Sequence, residues 1–195
     1  MKTGRCGHRP LQNYGDKMEL PKRKPNRLSN YDYSLNGAYF ITICTQNRAQ
    51  ILSEIIVGTG VLDCPKVELL EYGIIADKQI KKMNDFYYYI SVDKYVIMPN
   101  HIHLLISVKS ENGQSRTPVP TNFNINNAKI NNKNSLVAKF VGTFKRFTNK
   151  QYGKNIWQSR FYDHVIRGEQ DYREIWDYID GNPAKWREDR FYINR

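Results

Sequence analysis

Two histidines one residue apart, His101 and His103, stand in the run Tyr95-Val96-Ile97-Met98-Pro99-Asn100-His101-Ile102-His103-Leu104-Leu105-Ile106. Branched and aromatic residues interrupted by Pro99-Asn100 predict two short strands meeting at a turn. Side chains alternate across a strand, so both histidines face one side while Ile102, Leu104 and Ile106 face the other. Two imidazoles side by side above a sheet whose opposite face is core make half of a metal site, because neutral imidazole binds first-row divalent ions. The plainer alternative is a pair of sheet-surface histidines hydrogen-bonded to backbone or water, and the pair alone does not decide between them.

Tyr178 and Asn182 offer a second set of reactive groups. The spacing predicts a helix from about Glu169 to Gly181, in which Tyr172, Ile175, Trp176 and Ile179 form the stripe that must pack. Tyr178 falls off that stripe, on a flank with Asp171, Glu174 and, a turn later, Asn182, so its hydroxyl is expected to be exposed. Gly181 suits a helix stop, and Pro183 should hold Asn182 extended, where helix geometry gives way. Taken alone, this is also the pattern of a surface tyrosine near an ordinary helix end. His164, on a short strand beside Val165 and Ile166, reads as a structural hydrogen-bonding residue.

The elements that must position these groups can be read in chain order. Residues 1–30 carry Arg5, Arg9, Lys17, Lys22, Arg23, Lys24 and Arg27 among Gly, Pro and Asn, and read as a flexible basic arm ahead of one domain over 31–195. Ala38-Tyr39-Phe40-Ile41-Thr42-Ile43-Cys44-Thr45 predicts a strand at the sheet centre. Gly58-Thr59-Gly60 lacks the third glycine and the helix that a dinucleotide fingerprint requires. Residues 67–84 predict a helix with Leu69 or Leu70, Ile74, Ile80 and Met83 inward and Lys78, Lys81 and Lys82 outward. The asparagine-rich stretch 109–134 reads as a mobile loop. Asn134 or Ser135 caps a second helix with Val137, Phe140, Phe144 and Phe147 as its buried stripe. Lys139, Lys145, Arg146 and Lys150 lie mostly off that stripe, as a solvated face or as a phosphate track together with Arg23, Lys24 and Arg27. Strand, helix, strand, strand, helix, strand and helix in this order predict an α+β fold, the ferredoxin-like split βαβ with an antiparallel sheet and an added C-terminal helix.

Composition narrows the function classes. The 195 residues include 30 Lys+Arg against 19 Asp+Glu, a formal net charge of +11, which favours a polyanionic partner, nucleic acid ahead of anionic membrane. No run is apolar enough to span a bilayer and the N-terminus lacks a signal-peptide core, so a soluble, cytoplasmic, nucleoid-associated protein is expected. The three cysteines are scattered, without a C-x-x-C pair, and predict neither a disulfide framework nor a zinc knuckle.

Met98-Pro99-Asn100-His101-Ile102-His103-Leu104-Leu105, Trp157-Gln158-x-Arg160-Phe161-Tyr162-Asp163-His164-Val165-Ile166-Arg167 and Asp177-Tyr178-Ile179-x-x-Asn182-Pro183-x-Lys185 together resemble the single-tyrosine HUH transposases. The resemblance is to their REP-associated tyrosine transposase branch, over roughly residues 25 to 192. It implies His101 and His103 as metal ligands, Asn182 as the third ligand, and Tyr178 as the nucleophile that cuts single-stranded DNA. The implied activity is cleavage and rejoining of hairpin-containing, REP-like DNA through a 5′-phosphotyrosine, with Mg²⁺ or Mn²⁺ as cofactor, by a monomer or a homodimer. Nitrogen ligands favour Mn²⁺ by softness and abundance favours Mg²⁺. With no carboxylate in this ligand set, the ion would keep its full charge for the phosphate. Two other readings compete. One is a non-catalytic single-strand-binding protein that uses the sheet and exposed tyrosines as a stacking platform. The other is a replication-initiation or relaxase-type nickase, disfavoured by the short chain and the lack of a helicase segment.

Overall fold

The computed structural model describes residues 31–56, 65–109 and 135–193. The basic arm with Arg23, Lys24 and Arg27, the glycine pair at 58 and 60, and all but the first residue of the 109–134 loop lie outside the described residues.

Three long strands follow the apolar alternation of the sequence: β1 (Gly37–Cys44), β4 (Ile90–Met98) and β5 (His101–Val108). With β6 (Tyr162–Val165) they form an antiparallel sheet in the order β4-β5-β1-β6. The helices α1 (Glu71–Phe86) and α2 (Leu136–Tyr152) make the two crossovers, which gives the ferredoxin-like α+β fold. Their apolar faces cover one side of the sheet: Ala76, Ile80 and Met83 of α1 and Val137, Phe140, Val141 and Phe144 of α2 join Ile41, Ile43, Ile102, Leu104 and Ile106 in one core. Strict alternation therefore turns His101 and His103 to the opposite side, where α3 (Glu169–Gly181) lies against β4 and β5. Ser135 caps α2 by accepting from Ala138 N, and Gly153, at φ 69°, closes it in the left-handed conformation. Among the described residues, no helix is long and apolar enough to cross a membrane.

Several sequence expectations are corrected. Residues 67–69 are strand, not helix: β3 (Lys66–Leu69) pairs with β2 (Ser53–Ile56) in a separate two-stranded sheet, and Lys-Val-Glu-Leu alternates with a strand's period. The helix begins at Glu71, and Ile74 is exposed. Gly73 takes the inward place instead, because a Cβ there would come 1.9 Å from the Leu52 carbonyl oxygen, which accepts from Leu70 N. Phe147 is 38% exposed; Val141 and Thr148 complete the buried stripe of α2 instead. Asn182 is not extended but helical in its own φ and ψ, since Lys185 N donates to the Asn182 and Gly181 carbonyls and carries the helix end into a turn. On α3 itself only Ile179 is buried. Trp176, expected to pack, is 36% exposed with the Lys94 ammonium over its ring.

Candidate active site

The tight turn between β4 and β5 sets the histidines. Asn100 is fully buried there; its carbonyl accepts from Thr45 N and Thr45 Oγ1, which ties the turn to the end of β1. Its side-chain amide donates through Nδ2 to Phe191 O at 2.8 Å, so Oδ1 must face His101 Nδ1, also at 2.8 Å. A carbonyl oxygen can only accept, so His101 carries its proton on Nδ1 and presents a lone pair at Nε2. That lone pair lies 2.9 Å from His103 Nε2. His103 is held on its other side by Thr42 Oγ1 at 2.9 Å and stacked on Phe40 at 5.0 Å. Burial pushes the pKa of both imidazoles below the ordinary histidine value. Asp189 opposes this at His101 while Arg190 and Arg48 add to it; His101 and Arg190 add to it at His103. The pair is therefore neutral at pH 7, the state that binds metal.

From the other side α3 brings Tyr178. Its ring stands edge-on to Phe40, and its hydroxyl lies 3.3 Å from His103 Nε2 and donates to Asp189 Oδ2 at 3.4 Å. The residue is 41% exposed, so Tyr178 stands next to the histidines without being enclosed by them. Burial and then the Asp189 charge raise its pKa above the ordinary tyrosine value, against a lowering by Arg190. The resting tyrosine is protonated. Asn182, one turn later, is buried and donates through Nδ2 to Asp189 Oδ2 at 3.0 Å, while its Oδ1 has no hydrogen-bond partner.

Asp189 was absent from the sequence-based set. The chain returns after α3 through a short 3-10 turn, Trp186–Glu188, and lays residues 189–193 over the histidines. Phe191 packs 4.6 Å from the His101 ring, and Asp189 Oδ1 accepts from Phe191 N at 2.6 Å. Asp189 Oδ2 comes 4.0 Å from His101 Nε2, and one donor atom from each of His101, His103 and Asp189 lies within 4.8 Å of the others. Ligands at about 2.0–2.2 Å from a common ion sit at separations of this order. The residues fit a divalent metal: two neutral imidazoles, a buried carboxylate and a buried amide oxygen that nothing else satisfies. The structure thus adds a carboxylate to a ligand set expected to have none. No local motif marks Asp189 as part of a site; only the return of the chain after α3 does.

Among the described residues, the expected DNA-binding side chains are not brought together with the histidines. Lys139, Arg146 and Lys150 ride on α2, which packs on the sheet face turned away from them. Lys145 donates from its ammonium to the carbonyls of Gln158 and Arg160, holding the segment before β6. His164, on the histidine face of the sheet, bonds Asp171 at 2.9 Å and pins β6 to the start of α3.

No protein-family model matches the chain. It is 27% identical over 154 residues to the REP-associated tyrosine transposase of Escherichia coli K12, covering 78% of this chain and 70% of that protein. A Haemophilus influenzae Rd protein that carries the same name provisionally is 28% identical over 161 residues, covering 81% of this chain and 77% of its own. Among solved structures, a REP-associated tyrosine transposase bound to a REP hairpin matches with a TM-score of 0.51 at 20% identity, covering 84% of this chain and 74% of that one. At that identity the likeness speaks for the fold, and the sequence relatives speak for the lineage. The chain is a relative of the REP-associated tyrosine transposases.

Proposed function

We propose that the protein is a divalent-metal-dependent transposase of single-stranded DNA, cleaving and rejoining hairpin-containing, REP-like sites through a 5′-phosphotyrosine on Tyr178. One observation carries this reading: the hydroxyl of a half-exposed tyrosine stands 3.3 Å from His103 Nε2, in a buried pair of neutral imidazoles whose Nε2 atoms face each other. His101, His103 and Asp189 would hold the ion, with Asn182 Oδ1 as a further oxygen donor. When bound, it would supply Lewis-acid charge to a non-bridging phosphate oxygen. The remaining work falls to the chain. Phe40 and His103 fix the plane of the Tyr178 ring, and Asp189 directs its hydroxyl. The phenolic oxygen then forms a bond to phosphorus as the bond to the 3′ oxygen breaks, leaving a free 3′-hydroxyl and a 5′-phosphate on tyrosine. Bond energy is retained in the ester, so the 3′-hydroxyl of another strand end can reverse the step and no nucleotide cofactor is needed. Acting on chromosomal DNA, the protein would work at the nucleoid.

The test is incubation with end-labelled single-stranded hairpin DNA and Mn²⁺ or Mg²⁺, followed by a denaturing gel. A covalent protein–DNA band is expected for the wild type and not for Tyr178→Phe or His101→Ala, while Tyr178→Phe still binds DNA. Binding without any adduct, across hairpins that include REP sequences, would favour the non-catalytic single-strand-binding reading.

A further inference from the structure

The turn after β1 is unusual. Asn47 and Arg48 sit at φ 54° and 53°, successive non-glycine residues in the left-handed region, which persists where surroundings impose it and clusters at functional sites. The turn is closed by Arg48 N donating to Thr45 O, with the Thr45 hydroxyl sharing its one hydrogen between Ala49 O and Asn100 O. It delivers the Arg48 guanidinium to one side of Phe191, 5.2 Å from the ring centre, with Nη1 donating to Arg190 O at 3.1 Å. The Arg190 guanidinium lies 4.6 Å from the same ring and 5.5 Å from that of Tyr162. Phe191 in turn covers His101. Two guanidiniums therefore flank the aromatic cap of the histidine pocket. Among the described residues neither pairs with a carboxylate. Arg190 is exposed, and its side chain makes no hydrogen bond there.

We propose that Arg48 and Arg190 form a phosphodiester clamp at the mouth of the His101–His103 pocket, gripping single-stranded DNA where it passes Tyr178. This rests on the reading of the site as one that meets single-stranded DNA. Guanidiniums packed on aromatic rings are held flat, with their N–H edges turned outward, and that fork matches two phosphate oxygens. A lysine would offer the charge without the fork. The charges already fall on the site, because the Phe191 ring that both guanidiniums contact packs 4.6 Å from the His101 ring. A cation placed there would favour both the incoming phosphate and the tyrosine oxygen as it gains negative charge.

Arg190→Gln is the clean variant, because the backbone carbonyl that Arg48 holds survives it. The full chain carrying Tyr178→Phe is titrated with a fluorescent single-stranded DNA of mixed sequence at several salt concentrations. Arg190→Gln should lower the slope of log affinity against log salt by about 0.7, and Arg48→Gln added to it by about as much again. Lys82→Gln, on the exposed face of α1, serves as the comparison. In the Tyr178 background, single-turnover adduct formation with Mn²⁺ should slow by about 100-fold in Arg190→Gln; Arg190→Lys should restore the salt slope but not the rate. Unchanged Trp186 fluorescence shows that the tail is still seated. A slope for Arg190→Gln equal to its parent's, with the tail seated, overturns the clamp. A lowered slope with no adduct from the wild type on any hairpin DNA, REP sequences included, leaves the clamp standing and removes the nuclease reading.

Discussion

Asn100 offers a sharp test of how the histidine pair is set. Its amide makes two buried hydrogen bonds, one to Phe191 O and one from His101 Nδ1, each 2.8 Å long. Asn100→Ala removes both, at about 1 kcal/mol each, and strands a buried imidazole N–H and a carbonyl, at about 1 kcal/mol or more. A loss of about 2–4 kcal/mol in urea unfolding of the metal-free protein is expected. The imidazole also loses the acceptor that keeps its proton on Nδ1, so Mn²⁺ affinity, read by electron paramagnetic resonance of free Mn²⁺, should fall by about 10- to 100-fold. Asn100→Asp separates the two effects. Its carboxylate still accepts from His101 Nδ1, which keeps the tautomer and makes the ring a better ligand, but it cannot donate to Phe191 O. It should lose stability while holding Mn²⁺ at least as well as the wild type. Equal loss of Mn²⁺ binding in the Ala and Asp variants would refute the tautomer argument. Full retention of binding by Asn100→Ala would do the same.

Three further outcomes follow from packing and burial. The two histidines have pKa values below the ordinary 6.5 in the folded state, so as pH falls past that value the unfolded chain takes up protons the folded one refuses. The stability of metal-free protein should be complete above about pH 6.5 and fall below it, by about 1.4 kcal/mol per pH unit for each histidine, with His103→Gln reducing the slope; a urea midpoint that does not move between neutral and mildly acid pH would contradict this. Gly73→Ala forces a methyl onto the Leu52 carbonyl oxygen and should cost about 1–3 kcal/mol in thermal or urea unfolding, although alanine is the better helix former. Trp157→Phe removes the buried indole bond to Thr148 Oγ1 at 2.7 Å as well as ring volume in the core; a loss of about 2 kcal/mol is expected, and Thr148→Val added to it should cost less than in the wild type if the two share that bond.

The parts of the fold that the sequence revealed are those in which local pattern and tertiary role agree. Alternation in β1 and β5 is strict enough to place His101 and His103 on one face and the core on the other, and the Ser135 cap sits at the foot of the apolar stripe it precedes. The β2–β3 hairpin was missed because Lys-Val-Glu-Leu is only one strand's worth of alternation and runs directly into a helix of similar polarity. Ile74 and Gly73 exchanged roles for a reason no periodicity carries, since the close approach of the Leu52 backbone leaves no room for a side chain. Lys145 shows the same limit on the electrostatic side. Its spacing marks a solvated face, but the carbonyls of Gln158 and Arg160 come within reach of its ammonium.

The candidate site itself divides along the same line. His101, His103 and Tyr178 announce themselves by type and motif, whereas Asp189, Phe191 and Arg190 fall in a segment whose composition is that of an ordinary charged end. What recruits that segment is a set of side chains reaching its backbone from well upstream: Arg48 Nη1 to Arg190 O, Asn100 Nδ2 to Phe191 O and Gln50 Nε2 to Ile193 O. Backbone carbonyls carry no sequence identity, so these ties leave no trace in the residues they hold. Their effect is nonetheless specific. With Phe191 fixed, its amide takes Asp189 Oδ1 and turns Oδ2 toward Asn182, Tyr178 and His101. The carboxylate is thus aimed by the chain that carries it, and Asn100, next to His101, orients one imidazole of the candidate site and anchors the segment that brings the acid. Because one amide serves both ends, the histidines and the acid are positioned relative to each other by the chain alone.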